Sequence, residues 1–262
     1  MVVGVKIGLV DSGIGLLAAA AAVRRFRADA DLVLASDPEG MPWGPRSAED
    51  VTDRALACAQ AAAVHGLDAL IVACNTASVH ALPALRAAFE PDLPVIGTVP
   101  AIKPAAAVHR SVAIWATPAT TGSPYQRALI EEFGNGAQIT EVPCPGLADA
   151  VQGADTAAVA SAVAAAAALT PAGVGAIVLG CTHYELVGDR IAAAVPGAVL
   201  YGSADAVAAQ ALRRLGAGPR PEPAGARPGT LDVLLNGRPS ALPGVALAYP
   251  EGALLAATPA TA

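Results

Sequence analysis

One pattern in this chain occurs twice, and it constrains the fold more than any single residue. Gly66-Leu-Asp-Ala-Leu-Ile-Val-Ala-Cys74-Asn75-Thr76 and Gly173-Val-Gly-Ala-Ile-Val-Leu-Gly-Cys181-Thr182-His183 align at a shift of 107 residues. In both, a Gly precedes a short apolar run, a Cys closes it, and polar groups lead into a helical stretch. Continuous apolar runs of this length suit parallel strands covered on both faces. A shift of 106 lays Lys6–Asp11 over Val112–Thr117. Each half thus offers a strand ending in polar residues and a later strand ending in Cys. Two related α/β halves are the simplest reading.

The rest of the chain fits that frame. Strands are predicted over Lys6–Val10, Leu32–Ala35, Ala69–Ala73, Val95–Ile96, Val112–Ala116, Ile139–Val142, Ala176–Leu179, Val199–Tyr201 and Thr230–Leu235. Helices are predicted over Leu16–Arg25, from Ser47 onward, and over Ala77–Phe89, Ser123–Phe133, Ala157–Leu169, Tyr184–Val195 and Asp205–Leu215. Ser47-Ala-Glu-Asp50 has the form of a capping box. The expected architecture is α/β, with two Rossmann-like (flavodoxin-like) domains, mostly parallel sheets and a pseudo-two-fold relation between them. Residues 1–97 with 208–262 form one expected domain, and 98–207 the other. Gly216–Gly229 is Pro/Gly-rich and reads as a linker, and the tail from Ala256 as mobile.

Composition removes several function classes. Apolar residues make up 54% of the chain, which excludes intrinsic disorder. Aromatic residues are only 3% and the net charge is −6, so neither a base-stacking platform nor a phosphate-binding basic stripe is expected. Mean hydropathy is +0.51, but the most apolar stretch, Ala157–Gly180, is mainly Ala broken by Ser, Thr, Pro and Gly. A spanning helix needs roughly 20 strongly apolar residues. The expectation is a chain with no nucleic-acid or membrane partner, no leader and a cytoplasmic location.

The four cysteines, at 58, 74, 144 and 181, form neither a disulfide framework nor a C-x-x-C zinc pair. Cys58 and Cys144 read as core filler. His65, His80 and His109 read as surface or capping residues. Gly13 and Gly15 lack the third Gly of a dinucleotide fingerprint. Ligands in parallel α/β sheets bind beyond the carboxyl ends of the strands. The polar groups there are Asp11-Ser12, Cys74-Asn75-Thr76, Thr117, Thr120-Thr121 and Cys181-Thr182-His183. A Cys at a helix start is placed where its thiolate is favoured. Two such thiols, one per half, suit proton transfer on opposite faces of one carbon. Asp11 would then assist Cys74, and His183 would assist Cys181, as acid/base partners.

These residues carry a resemblance. Asp11-Ser12-Gly13-Ile14-Gly15, Pro42-Trp43-Gly44, Ala73-Cys74-Asn75-Thr76-Ala77-Ser78, Ala116-Thr117 through Tyr125, Cys144-Pro145 and Gly180-Cys181-Thr182-His183-Tyr184 resemble the motif series of the glutamate racemases, in order and spacing from about residue 5 to 215. The resemblance implies a cofactor-independent isomerase that interconverts L- and D-glutamate and supplies D-glutamate for peptidoglycan. It implies a site between the two domains and a homodimer. By match, Cys74 takes the proton from D-glutamate and Cys181 from L-glutamate. Asp11, Ser12, Trp43, Gly44, Asn75, Thr76, Thr182 and His183 hold or flank the substrate, with the threonines at 117, 120 and 121 lining it from the second half. Four positions depart from the family pattern: Leu16 stands for Gly, Trp43 for Tyr, Gln152 for Glu and Glu185 for Pro. The alternatives left open are a sister two-cysteine racemase for aspartate or another small acid, and a binding protein with weak turnover.

Overall fold

The computed structural model describes residues 4–218 and 228–257. Most of the expected linker and the end of the expected mobile tail lie outside them. The ten strands among these residues are β1 (Lys6–Asp11), β2 (Asp31–Ser36), β3 (Ala69–Val72), β4 (Val95–Gly97), β5 (Ser111–Ala116), β6 (Gln138–Pro143), β7 (Ala176–Leu179), β8 (Val199–Tyr201), β9 (Leu231–Leu235) and β10 (Arg238–Ser240). The chain divides into two compact units, Met1–Thr98 with Ala204–Ala262, and Val99–Ser203.

The first unit holds a six-stranded sheet in the order β10-β9-β2-β1-β3-β4. All its neighbouring pairs are parallel except β9–β10. The second holds an all-parallel sheet in the order β6-β5-β7-β8. Four strands of each unit therefore share one order, β2-β1-β3-β4 against β6-β5-β7-β8. The central strands explain why: β3 and β7 are buried at every residue, so each needs a neighbour and a covering layer on both sides. Register refines the repeat. Ile7 pairs with Ala69, and Val112 with Ala176. Asp11 and Ala116 each end the first strand of their unit, so Ala116, not Thr117, is the counterpart of Asp11.

Several helices differ from the sequence expectation. The single helix predicted over Ala77–Phe89 is two, Asn75–His80 and Leu82–Phe89. Pro83 has no N–H to continue the ladder, so the chain breaks at Ala81 and restarts with Pro in the first turn. Tyr184–Val195 is likewise two, Thr182–Glu185 and Gly188–Ala194. The Ser47 cap forms as expected, its hydroxyl accepting from the Asp50 N–H at 3.2 Å. Helices Ile102–Val108, Leu147–Gln152 and Pro250–Ala256 were not anticipated, nor was β10. Strand β10 follows Asn236-Gly237, whose φ values of +51° and +74° suit a tight hairpin. No described helix is long and apolar enough to cross a membrane.

Candidate functional site

Both units place a cysteine in the same local structure. Cys74 is the N-cap of helix Asn75–His80 with φ/ψ of −142°/124°, and Cys181 the N-cap of helix Thr182–Glu185 with −140°/134°. The extended backbone lets each Cys close its strand while its carbonyl opens the helix, accepting from Ser78 N in one case and Tyr184 N in the other. The first N–H groups of such a helix have no carbonyl partner within it. The strand ends are tied alike: Ala73 N donates to Val10 O at 2.8 Å, and Gly180 N to Trp115 O at 2.7 Å. Position 180 must be glycine, because a Cβ there would lie 2.8 Å from Trp115 O and 3.0 Å from Ala116 Cβ.

In the first unit the carboxyl of Asp11 is wholly buried. Its Oδ1 accepts from the Ser12 N–H at 2.7 Å and sits 3.4 Å from the Ser12 hydroxyl. Its Oδ2 is buried and accepts no hydrogen bond of normal length. Burial dominates and raises the pKa to about 7, against the opposing pull of the Cys74 thiol and the Ser12 N–H. An acid of that strength, beside a thiol, exchanges a proton readily at neutral pH. Asn75 and Ser12 are buried here, and Thr76 is half-buried.

Trp43, which the resemblance placed against the substrate, is 1% exposed and packed in the same core cluster as Val10 and Cys74. Its indole N–H is spent on Asp37 Oδ2 at 3.0 Å. Arg54 donates to the same oxygen at 3.0 Å, and Gly40 N to Asp37 Oδ1 at 3.0 Å. Asp37 thus fixes the Trp43-Gly44 loop at the end of β2, a role that sequence reading missed. Its only signal was an acidic residue directly after a buried strand. Gly44 is half-buried.

In the second unit, His183 is 4% exposed and lies between two partners. Its Nδ1 is 4.0 Å from Cys181 Sγ, and its Nε2 is 3.0 Å from Gln152 Oε1. Burial alone lowers its pKa to about 4, so the imidazole is neutral at pH 7. Thr182 is buried beside it. The loop after β5 is organised by its own hydroxyls: Thr117 and Thr120 Oγ1 are 3.2 Å apart, and Thr121 Oγ1 donates to Thr117 O at 3.0 Å. These three threonines are half-buried. Glu185 is spent on Ser203, accepting from its N–H at 2.8 Å and its hydroxyl at 2.7 Å.

The other two thiols have no such setting. Burial pushes both Cys58 and Cys144 up to about 12, and the Cys144 thiol donates to Val142 O at 3.5 Å. Neither forms a thiolate at neutral pH.

Comparisons with known proteins identify the family. The Asp/Glu/Hydantoin racemase family model matches residues 15–211. A glutamate racemase of Pseudomonas putida is 36% identical over 80% of both chains, and one from a Roseiflexus species is 38% identical over 71% of this chain and 70% of its own. Among solved structures, the Escherichia coli glutamate racemase, in complex with L-glutamate and the activator UDP-MurNAc-Ala, has a TM-score of 0.79 at 27% identity. It covers 94% of this chain and 92% of its own. From these matches and the paired strand-end cysteines, the chain belongs to the Asp/Glu/Hydantoin racemase family.

Proposed function

We propose that this protein is a glutamate racemase acting without a cofactor, with Cys74 and Cys181 as opposed acid/base groups at one Cα. The observation that carries this reading is the pair of cysteines at equivalent N-cap positions, one in each unit. A racemase must reach both faces of its α-carbon, and a duplicated fold supplies two groups of one kind. One thiolate removes the Cα proton, and the electron pair passes into the α-carboxylate as an enediolate. The opposite thiol then donates its proton, leaving the inverted amino acid and exchanged thiol states. Cys74 serves D-glutamate and Cys181 serves L-glutamate.

Asp11 and His183 carry protons to and from these sulfurs. Ser12, Gly44, Asn75, Thr76, Thr117, Thr120, Thr121 and Thr182 supply hydrogen-bonding groups for the two carboxylates and the ammonium. Trp43, buried and bonded to Asp37, supports the loop that carries Gly44 from behind. The family likeness supports a cytoplasmic homodimer whose D-glutamate enters peptidoglycan.

The test is solvent exchange. Purified protein in D2O is given L- or D-glutamate separately, and Cα deuteration is followed by NMR while circular dichroism follows inversion. The expected result is loss of optical activity from either side, with the product enantiomer deuterated, unchanged after dialysis against chelator. Absence of exchange with both enantiomers refutes the reading; faster exchange with aspartate reassigns the substrate.

A further inference from the structure

The second half-site contains a group that the two-thiol scheme does not use. Gln152 closes helix Leu147–Gln152 and reaches the far nitrogen of His183 at 3.0 Å. A neutral imidazole has one N–H and one lone pair, and the bond made by one nitrogen decides the role of the other. Gln152 Oε1 can only accept, so Nε2 carries the hydrogen. Nδ1, 4.0 Å from Cys181 Sγ, is then the lone-pair nitrogen.

We propose that Gln152 is a positioning residue that locks His183 as its Nε2–H tautomer and so makes Nδ1 the proton acceptor for the Cys181 thiol. This rests on the racemase reading of Cys181. The proton balance is simple. The S–H proton moves to Nδ1, the pair stays on sulfur, and the imidazolium keeps its Nε2–H bond to Gln152. When Cys181 next donates to Cα, Nδ1 returns the proton to sulfur.

The amide also sets the charge. A neutral carbonyl stabilises imidazolium far less than a carboxylate would. On helix Leu147–Gln152 the titratable group is Asp149, which is exposed. Strand β7 carries none. Glu185 is engaged by Ser203, and Tyr184 and Cys144 are buried, both pushed up by burial. The imidazole therefore rests neutral, and burial keeps His183 in that form.

The test combines spectroscopy, thiol reactivity and kinetics. Protein carrying ¹⁵N-histidine should show His183 as the Nε2–H tautomer across neutral pH. Gln152→Glu, which keeps the acceptor and the shape, should raise the His183 titration by about 1 to 3 pH units. It should also speed iodoacetamide alkylation of Cys181 near neutral pH by about 10-fold, read by peptide mass spectrometry. Gln152→Met, which keeps volume but loses the acceptor, should lower kcat about 10-fold with KM little changed. A racemisation has an equilibrium constant of one, so kcat/KM must fall equally in both directions. A wild-type Nδ1–H tautomer, or a Gln152→Glu variant with unmoved titration and alkylation, overturns the proposal even if glutamate is racemised normally. The expected tautomer and shifts in a protein that leaves glutamate untouched would instead refute only the substrate reading.

Discussion

Replacing Asp11 by Asn should stabilise the first unit while disabling it, and the gain should grow with pH. Asp11 is wholly buried, and its pKa rises from 3.8 to about 7 on folding. Between those values the folded chain binds more protons than the unfolded one, so stability falls as pH rises. A rise of about 3 pH units corresponds to about 4 kcal/mol once the group is fully ionised. The cost is about 2 kcal/mol near pH 5.5 and levels off above the folded pKa. Asn cannot ionise, yet keeps an oxygen for the Ser12 N–H. Asp11→Asn should therefore add about 2 kcal/mol near pH 5.5 and up to about 4 kcal/mol near pH 8.5, less whatever the exchanged amide loses in hydrogen bonding. The chain has two tryptophans, one per unit, so a Trp115→Phe background leaves buried Trp43 to report on the first unit during urea unfolding. Turnover should fall by about 10²-fold or more if the carboxyl serves Cys74. An equal gain at both pH values would refute the reasoning, because the carboxyl would not be titrating in that window.

Cys74→Ser and Cys181→Ser should each lower racemisation by about 10²- to 10⁴-fold. With a substrate analogue that eliminates a β-leaving group after one deprotonation, Cys74→Ser should still process the L-form and Cys181→Ser the D-form; normal racemisation by both variants would sink the two-base scheme. Cys58→Ser and Cys144→Ser should keep near-wild-type kcat, and in the wild type neither thiol should alkylate before Cys74 and Cys181, as peptide mapping over time would reveal. Trp43→Phe removes the donor to Asp37 and should cost about 1 to 3 kcal/mol in urea unfolding, while leaving Asp37 bonded to Arg54. Gly180→Ala should destabilise the second unit and lower kcat, since the new methyl must push Trp115 O and Ala116 aside at the strand end that carries Cys181; an unchanged melting temperature would contradict that packing.

The strands were legible because burial on both faces leaves a sequence signature that needs no partner to be recognised. Each of the nine anticipated runs, from Lys6–Val10 to Thr230–Leu235, is a strand within one residue at either end. Strand β10 left no such trace, since Arg238, Pro239 and Ser240 are all exposed. The Asn236-Gly237 turn was the available clue. Helix Leu147–Gln152 is too short to display a period, and its left-handed Gly146 start reads as a turn until the fold is known. Within the site, the cysteines could be located because strand and helix periodicity meet at them. Partners brought in from distant elements could not. Asp37 meets Trp43 through loop geometry, and Gln152 meets His183 across 31 positions of sequence. The departure at 152 was visible as a missing charge, but not the bond that takes its place.

The repeat also explains why the two strand-end cysteines have different titratable neighbours. Duplication preserved what a thiol needs locally: a strand end, an extended N-cap and a helix behind it. It did not preserve the titratable neighbour. The counterpart of Asp11 is Ala116, which ends β5 with no charge. The counterpart of His183, two residues after the cysteine, is Thr76. Each unit therefore carries such a group at a position where its counterpart in the other unit is not titratable. Burial acts on both in the same sense, opposing charge: it lifts the acid to about 7 and drops the base to about 4. Near neutral pH the acid is partly protonated and the imidazole is neutral. If Cys74 and Cys181 share one reaction, its pH dependence near neutrality should follow the titration of Asp11, with the resting His183 uncharged across that range. Asp11→Asn should then remove the inflection near pH 7 from kcat and Gln152→Met should leave it in place; an inflection surviving the first substitution would assign it to another group.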